Sequence, residues 1–412
     1  MIEFKKRTLA NGLQVVVSED HTTPMVSLNV MYLAGARNEN PLKTGYAHML
    51  EHCMFTGTES VPNYDELLQR CGATNNAYTT NDVTNYYITI PSDNVEVAFY
   101  IESDRMMNLA FFEEGFQTQR SVVMEEMKQR CLNAPYGDIQ ELMRGMIYKV
   151  HPYRWSTIGL SLQTLADAKI DDLRSFYESN YAPDNAILSI CGNVNADEMF
   201  DMAQKYFGGI SRRSKRCVIP QEPEQMERRI VDVVRNVPAS AVVLAYHSGN
   251  AVSRDAYVGD LATDLLAAGE SSLLNVNLVR NKGVCSQADA IVNNSFDPGF
   301  LYLVAFAKDG LPLESVADSL REEALRLTDL DNLSEYDFQK VKNKAEYEKV
   351  MDQIKCSDKA TNLAMATALG DTNLINTDFE KFASVTLEEV AEYIKRTIVE
   401  NNESILYYRK QE

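Results

Sequence analysis

The chain has 412 residues, of which 45% are hydrophobic and 24% are charged, a composition typical of a globular protein with two or three domains. Its formal net charge of −19 argues against a nucleic-acid partner, because phosphates require a basic surface; the charge either favours cationic partners or serves solubility alone. No uninterrupted apolar run approaches the roughly 18 residues of a membrane helix, so no membrane association is predicted.

The first half of the chain is predicted to mix strands and helices. Residues 4–9 and 13–17 flank Asn11-Gly12, a pair typical of a two-residue hairpin turn. Alternating apolar residues over 25–33 predict a strand, and a helix is predicted over 44–56. The other predicted elements of this half are a helix that begins at Asn63 and ends before Gly72, a strand over 85–90, helices over 94–109 and 117–131, a strand over 186–191 and a helix over 196–206.

A linker is predicted near the middle of the chain. The basic run Ser211-Arg-Arg-Ser-Lys-Arg216 is followed by Pro220 and Pro223, and this combination is typical of a linker rather than of a helix or strand. We therefore predict an N-terminal domain over residues 1–212, a linker over 213–228 and a C-terminal domain over 229–412.

The two halves repeat one pattern of elements at an offset of roughly 210 to 222 residues, which predicts a duplicated α+β unit. The second copy has predicted strands at 241–247 and 300–306. Its predicted helices lie at 259–268 and 336–351, and a further one ends near Gly283. At one place in the repeat, the first copy has two histidines and a glutamate where the second has two leucines and an aspartate. These residues are His48, Glu51 and His52 in the first copy and Leu261, Asp264 and Leu265 in the second.

The two histidines lie four residues apart in the run His48-Met-Leu-Glu51-His52. On a helix this spacing places both imidazoles on one face, about one turn apart, where they can bind one zinc ion. Glu51 lies three residues after His48 and can reach a water molecule at the metal. The run has the HxxEH order of the inverzincin metallopeptidases. A pair of histidines that caps or lines an interface is the alternative interpretation.

A catalytic zinc ion takes three protein ligands and keeps one position open, so another part of the chain must supply the third ligand. The predicted helix over 117–131 contains Glu125 and Glu126 among apolar residues. Adjacent residues on a helix point about 100° apart, so only one of these carboxylates can face a metal. The spacing alone does not decide between them.

The sequence resembles the insulinase/pitrilysin family of zinc peptidases, and within it the short two-domain enzymes related to the mitochondrial processing peptidase. The resemblance covers nearly the whole chain. The runs that carry it are Gly45-Tyr-Ala-His-Met-Leu-Glu-His-Cys-Met-Phe-Thr-Gly57, Asn76-Ala-Tyr-Thr-Thr-Asn-Asp-Val-Thr-Asn-Tyr86, Arg120-Ser-Val-Val-Met-Glu-Glu126, His151-Pro-Tyr153 and Tyr181-Ala-Pro-Asp-Asn185.

The resemblance implies a fold and a mechanism. The implied fold is α+β, with two homologous domains arranged as a clamshell, each a mostly antiparallel β-sheet with helices packed on it. The first domain bears the zinc, and the second is an inactive duplicate that helps to enclose the substrate. The implied ligands of one Zn²⁺ per chain are His48, His52 and Glu126. Glu51 is the implied general base, which takes a proton from the attacking water and delivers it to the leaving amine.

The same resemblance implies how the substrate binds. Residues 75–80 are expected to form an edge strand beside the zinc helix, where an extended peptide would pair with the main chain. From the residues alone, a polar loop is the alternative interpretation. The expected substrate is a peptide or an unfolded polypeptide segment, selected by size and flexibility as much as by side chain. The expected substrate-binding residues are Asn75, Asn76, Ala77, Tyr78 and Arg280.

One departure from the family pattern lies next to the expected metal site. A glutamate is expected seven residues before the ligand glutamate, and Gln119 occupies this position. A carboxylate there would support the site electrostatically, whereas the amide of Gln119 carries no charge. Reduced activity or a shifted pH dependence is the expected consequence.

A second departure lies in the C-terminal half. The family often has an arginine followed six or seven residues later by a tyrosine, and both contact the substrate near the metal. Arg280 fits this pattern, but Ser286 or Gln287 stands at the tyrosine position. Some short family members divide the zinc and the Arg/Tyr pair between two subunits. A heterodimer with a related subunit is therefore one expectation, and a homodimer is the other.

The seven cysteines are odd in number and widely spaced, and no CxxC pair occurs. They predict neither a disulfide framework nor a cysteine zinc site, and most are expected to be core residues in a reducing compartment. The N-terminal sequence lacks the apolar core of a signal peptide. Together these features predict a cytoplasmic location.

The leading hypothesis is a zinc endopeptidase that acts on peptides or unfolded segments. A non-catalytic or partner-dependent subunit on the same scaffold is the second hypothesis, because the resembling core subunits of the respiratory bc complex have such a role. The retained zinc motif argues against it, and the two departures favour it. A zinc hydrolase of a non-peptide amide is the third hypothesis.

Overall fold

The structure is a computed structural model that describes residues 1–215 and 217–412, so Arg216 of the predicted linker lies outside the described residues. No helix in the described part is both long enough and apolar enough to cross a bilayer. The strands are β1 (Lys5–Thr8), β2 (Gln14–Glu19), β3 (Met25–Tyr32), β4 (Thr74–Thr79), β5 (Thr84–Pro91), β6 (Ala186–Gly192), β7 (Arg229–Arg235), β8 (Ala241–His247), β9 (Cys285–Asn293), β10 (Phe300–Ala307) and β11 (Glu403–Lys410). The α-helices are α1 (Tyr46–Cys53), α2 (Tyr64–Arg70), α3 (Val95–Asn108), α4 (Glu113–Met127), α5 (Ile139–Ile147), α6 (Leu162–Ala166), α7 (Ile170–Asn180), α8 (Ala196–Phe207), α9 (Arg254–Ala267), α10 (Leu313–Leu325), α11 (Glu335–Met351), α12 (Cys356–Ala368), α13 (Leu374–Ala383) and α14 (Leu387–Thr397).

The chain forms two compact units, and each takes segments from both halves of the sequence. The first unit contains residues 1–130, 151–220 and 350–376. The second unit contains residues 131–150, 221–349 and 377–412. Each unit is a mostly antiparallel sheet with helices packed on it, which confirms the predicted α+β class. The domain boundaries predicted from the sequence stay a prediction.

The first unit is built on a six-stranded sheet with the order β1-β2-β6-β3-β5-β4. Neighbouring strands are antiparallel except β2 and β6, which are parallel. The pairing of β1 with β2 confirms the predicted hairpin. The central strands β3 and β6 are almost wholly buried, as expected of strands that are covered on both faces. Strand β4 lies at the edge of the sheet.

The second unit repeats this arrangement. Its sheet has the order β7-β11-β8-β10-β9, in which β7 and β11 form the parallel pair, as β2 and β6 do in the first sheet. Strands β8 and β10 and helices α9 and α11 lie where the duplication predicts them. The internal repeat is therefore confirmed by strand order as well as by element order.

Helix α12 comes from the second half of the sequence but packs on the sheet of the first unit. It contacts β3, β5 and β6. Asn29 of β3 donates a hydrogen bond to Thr361 Oγ1 at 3.0 Å, and Lys359 pairs with Asp20. Leu363, on the apolar side of the helix, is fully buried. The first sheet is therefore completed by a helix that lies far from it in sequence.

Replacement of Leu363 by alanine tests this packing. Loss of a fully buried leucine side chain leaves a cavity, so Leu363→Ala is expected to lower the free energy of unfolding by about 2–5 kcal/mol. Chemical denaturation followed by circular dichroism measures the change. Leu311→Ala is the matched control, because the side chain of Leu311 is exposed. Equal denaturation midpoints for the two variants would contradict the packing of α12.

Candidate metal centre

Helix α1, which carries the HxxEH motif, is held at its N-terminus by Glu39. The Glu39 carboxylate accepts hydrogen bonds from the main-chain N–H groups of Gly45, at 2.9 Å, and Ala47, at 2.7 Å. Burial raises the pKa of Glu39 to about 8, and these hydrogen bonds act in the opposite direction. Gly45 has a φ of 87°, a conformation that favours glycine. This cap fixes the point at which the helix begins.

The structure brings the three predicted metal ligands together. A ring nitrogen of His48, a ring nitrogen of His52 and a carboxylate oxygen of Glu126 lie within 4.8 Å of one another. Glu126 Oε2 is 3.7 Å from His48 Nε2 and 3.6 Å from His52 Nε2. Ligands at zinc-bonding distances around a tetrahedral ion lie about 3.3–3.6 Å apart, so the two distances to Glu126 are close to those of a zinc site. Burial lowers the pKa of His48 to about 4, which keeps its ring neutral, as metal binding requires.

Helix α4 presents Glu126, rather than Glu125, to the two imidazoles. The Glu125 carboxylate instead lies 3.2 Å from the ammonium group of Lys128. The second oxygen of Glu126, Oε1, is 2.7 Å from Arg130 Nη1. This charged contact with Arg130 orients the Glu126 carboxylate and leaves Oε2 on the side of the histidines.

Gln119 contacts the far side of one imidazole. Its amide oxygen Oε1 is 3.3 Å from His52 Nδ1. An amide oxygen can only accept a hydrogen bond, so Nδ1 carries the proton and Nε2 is free on the side of Glu126. Gln119 therefore orients the His52 ring although it carries no charge.

Glu51 lies beside the three predicted ligands. Thr79 Oγ1 donates a hydrogen bond to Glu51 Oε2 at 2.5 Å. Burial raises the pKa of Glu51, and a raised pKa suits a carboxylate that must take up a proton. Glu51 and the three predicted ligands line a cavity of about 470 Å³, whose wall also includes Ala77, Tyr78 and Thr79 of β4.

The residues predicted to bind substrate are divided between the two units. Residues 75–78 belong to β4, which confirms the predicted edge strand beside α1. Arg280 belongs to the second unit, where its guanidinium group is 2.7 Å from the Glu270 carboxylate. Substrate contacts of these residues stay a prediction.

Sequence reasoning missed Glu39, Arg130 and the contact of Thr79 with Glu51. Arg130 has a local signal, because it lies four residues after Glu126. Glu39 and Thr79 have no comparable local signal. Glu39 reaches α1 from the turn that precedes it, and the fold brings Thr79 to α1 from β4.

Two domain models of one peptidase family match the chain. "Insulinase (Peptidase family M16)" matches residues 14–148, and "Peptidase M16 inactive domain" matches residues 167–345. The chain belongs to the insulinase family, peptidase family M16. The resemblance inferred from the motif runs is thereby confirmed.

Individual M16 relatives support a short two-domain enzyme type. The zinc protease PqqE of Helicobacter pylori is 32% identical over 288 residues, which are 68% of this chain and 65% of that protein. The β subunit of the mitochondrial-processing peptidase of Caenorhabditis elegans is 28% identical over 203 residues, which are 49% of this chain and 44% of that protein. The matched stretches thus span between 44% and 65% of these relatives. A crystal structure of a protease from Helicobacter pylori has a TM-score of 0.92 at 25% identity and covers 99% of this chain and 100% of that chain.

Gln119→Ala is expected to weaken zinc binding by about 10- to 100-fold, because His52 loses the acceptor that orients its ring. Gln119→Glu keeps an acceptor and adds a negative charge, so it is expected to bind zinc at least as tightly as wild type. Competition with a chromophoric chelator measures both affinities. Gln117→Ala is the matched control, since Gln117 lies on the same helix and donates to Glu113 instead. Wild-type zinc affinity in Gln119→Ala would refute this role.

Glu39→Ala is expected to lower the free energy of unfolding by about 1–3 kcal/mol, because two main-chain N–H groups in a buried place lose their acceptor. Thermal unfolding of the zinc-free protein measures this cost without a contribution from the metal. Glu59→Ala is the control, since Glu59 is an exposed glutamate of the same unit. Indistinguishable unfolding temperatures for the two variants would show that the cap does not stabilise α1.

Proposed function

We propose that the protein is a zinc metalloendopeptidase that hydrolyses peptides or unfolded polypeptide segments. Its M16 relatives include proteins named as zinc proteases. The observation that carries the proposal is the convergence of two imidazoles and one carboxylate within 4.8 Å, with Glu51 beside them in the same cavity. This is the donor set of a catalytic zinc site together with a candidate base.

The chemistry is divided among four side chains. His48, His52 and Glu126 would hold one Zn²⁺ per chain. The bound ion would supply a Lewis acid for the scissile carbonyl and for a water molecule. Glu51 takes the proton of that water as it attacks the carbonyl and then delivers the proton to the leaving amine. The hydrogen bond from Thr79 keeps the Glu51 carboxylate at the cavity wall during both transfers.

Strand β4 is the proposed binding surface for the peptide main chain. It pairs with β5 on one side, and no described strand lies on its other side. A peptide added there would form main-chain hydrogen bonds, which recognise an extended shape and give little sequence specificity. The proposed contacts are Asn75, Asn76, Ala77 and Tyr78. Ala77 and Tyr78 also line the cavity, so a peptide on this edge would pass beside the proposed metal ligands.

A partner-dependent subunit is the second candidate function. The observation that favours it is the absence of a tyrosine at residues 286 and 287. Ser286 is exposed on β9, and its hydroxyl donates to the main-chain oxygen of Phe306 at 3.3 Å. In this case a related subunit would supply the group that contacts the substrate in a heterodimer. If the chain needs no related subunit to bind its substrate, we propose that two copies of it form a homodimer.

Glu51→Gln is expected to abolish peptide hydrolysis while it leaves zinc bound, because the amide cannot take up a proton and Glu51 is not a proposed ligand. A quenched-fluorescence library of short unstructured peptides, some of them cationic, measures cleavage. Metal analysis of the same samples counts zinc per chain. Removal of zinc from wild type with a chelator is expected to abolish cleavage as well.

Glu125→Gln is the matched control, because Glu125 is the neighbouring carboxylate on α4 and pairs with Lys128. It is expected to keep both zinc and activity, whereas Glu126→Gln is expected to lose zinc. A wild-type protein that binds one zinc but cleaves no peptide would favour the partner-dependent subunit. Cleavage by Glu51→Gln at the wild-type rate would rule out the proposed mechanism.

A further inference from the structure

Two cysteines from distant parts of the sequence meet in the first unit. Cys191 is a fully buried residue of β6, and Cys356 is the partly exposed first residue of α12. Their side chains interact: the thiol–thiol interaction raises the pKa of Cys191 and lowers that of Cys356. The pair exists because α12 packs across β6, and the wide spacing of the cysteines in the sequence conceals it.

An ion pair one helical turn after Cys356 fixes the start of α12 near the end of β6. Lys359 lies three residues after Cys356 and pairs with Asp20. The main-chain N–H of Asp20 donates at 2.7 Å to the carbonyl of Gly192, the residue that follows Cys191. The first turn of α12 is therefore fixed over the end of β6 by a contact that does not involve sulfur.

The surroundings of Cys356 favour its thiolate. The interaction with Cys191 holds the pKa of Cys356 below the ordinary range of a thiol; the charge of Lys359 acts in the same direction, and burial and Asp20 act against it. The N-terminus of α12 adds the positive end of a helix dipole. By contrast, burial raises the pKa of Cys53 to about 12, as is typical of a core cysteine. Cys356 is thus both partly exposed and activated, and the buried Cys191 lies on a strand against which its helix packs.

We propose that Cys356 and Cys191 form an oxidisable dithiol, and that the disulfide between them ties α12 to β6. The oxidant class is a peroxide, represented by hydrogen peroxide. The thiolate sulfur of Cys356 attacks one peroxide oxygen, the O–O bond breaks, and a sulfenic acid and hydroxide form. The sulfur of Cys191 then attacks the sulfenic sulfur, the S–O bond breaks and the disulfide forms. The two thiol protons leave with the two peroxide oxygens as two molecules of water.

This disulfide would make the first unit more stable. Cys191 and Cys356 lie in different halves of the sequence, so the disulfide closes a long loop and restricts the unfolded chain. The expected effect is a rise of about 5 °C or more in Tm, which dithiothreitol reverses. Neither the reaction nor its effect depends on zinc or on peptidase activity, so its test is separate from that of the proposed function.

The test counts thiols in the full-length protein after peroxide treatment. The reduced chain contains seven cysteines. It is exposed to hydrogen peroxide, quenched with catalase, unfolded and titrated with a chromogenic disulfide reagent. Wild type is expected to lose two thiols per chain, and peptide mapping by mass spectrometry without reduction is expected to recover Cys191 linked to Cys356.

Three serine variants separate this pair from general thiol oxidation. Cys217→Ser is the matched control, because Cys217 is an exposed cysteine, and it is expected to lose two thiols as wild type does. In Cys191→Ser, oxidation is expected to stop at the sulfenic acid of Cys356, which dimedone captures. Cys356→Ser is expected to form no disulfide. The proposal is overturned if wild type keeps all seven thiols, if peptide mapping links other cysteines, or if Cys356→Ser loses two thiols. The mapping of wild type decides the matter even if a variant fails to fold.

Discussion

The geometry of the candidate metal centre depends on the hydrogen bonds between Glu39 and the N-terminus of α1. An eight-residue helix is marginal on its own, and its first N–H groups have no partner within the helix. Glu39 accepts from two of these groups, at Gly45 and Ala47. Because His48 follows directly after Ala47, the cap also fixes the position of the first imidazole. Arg130, which follows α4 directly, fixes the carboxylate of Glu126 by an ion pair, so each side of the donor set is held by a side-chain contact.

The second unit has the same scaffold without this centre. Helix α9 follows β8 as α1 follows β3, but Leu261 and Leu265 stand at the histidine positions and are buried in the core. Asp264 corresponds to Glu51, and its carboxylate lies 3.1 Å from the ammonium group of Lys344 on α11. The carboxylate of Asp264 is thus neutralised by the chain itself. Glu51 is instead hydrogen-bonded by an uncharged hydroxyl; burial raises the pKa of both carboxyl groups, so the contrast lies in their partners. At this place the copies differ in a few side chains, whereas five strands keep one order in both sheets and only β1 has no counterpart.

Local patterns in the sequence predict the helices and strands better than they predict which elements pack against one another. The hairpin at β1 and β2, the helix with HxxEH and the edge strand β4 depend on spacing within a few residues or on a motif, and they were predicted. The packing of α12 on the first sheet was not predicted, because an apolar helix face indicates burial but does not identify the sheet that covers it. Glu39 escaped prediction for the same physical reason, since its acceptor role requires a contact that only the folded chain makes. Spacing left the choice between Glu125 and Glu126 open; the family resemblance implied Glu126, and the orientation of α4 agrees with it.

The two departures from the family pattern affect different parts of the reaction. Gln119 replaces a carboxylate but still accepts a hydrogen bond from His52, so it changes the charge near the ligands and keeps their orientation. Ser286 has a short side chain whose hydroxyl bonds to the main chain of Phe306 on the neighbouring strand, so it offers no counterpart to the hydroxyl at the end of a tyrosine ring. The groups proposed to bind zinc and move the proton all belong to the first unit. On the proposed function, the tyrosine is the missing substrate contact, and a related subunit would supply it without any change among the proposed metal ligands.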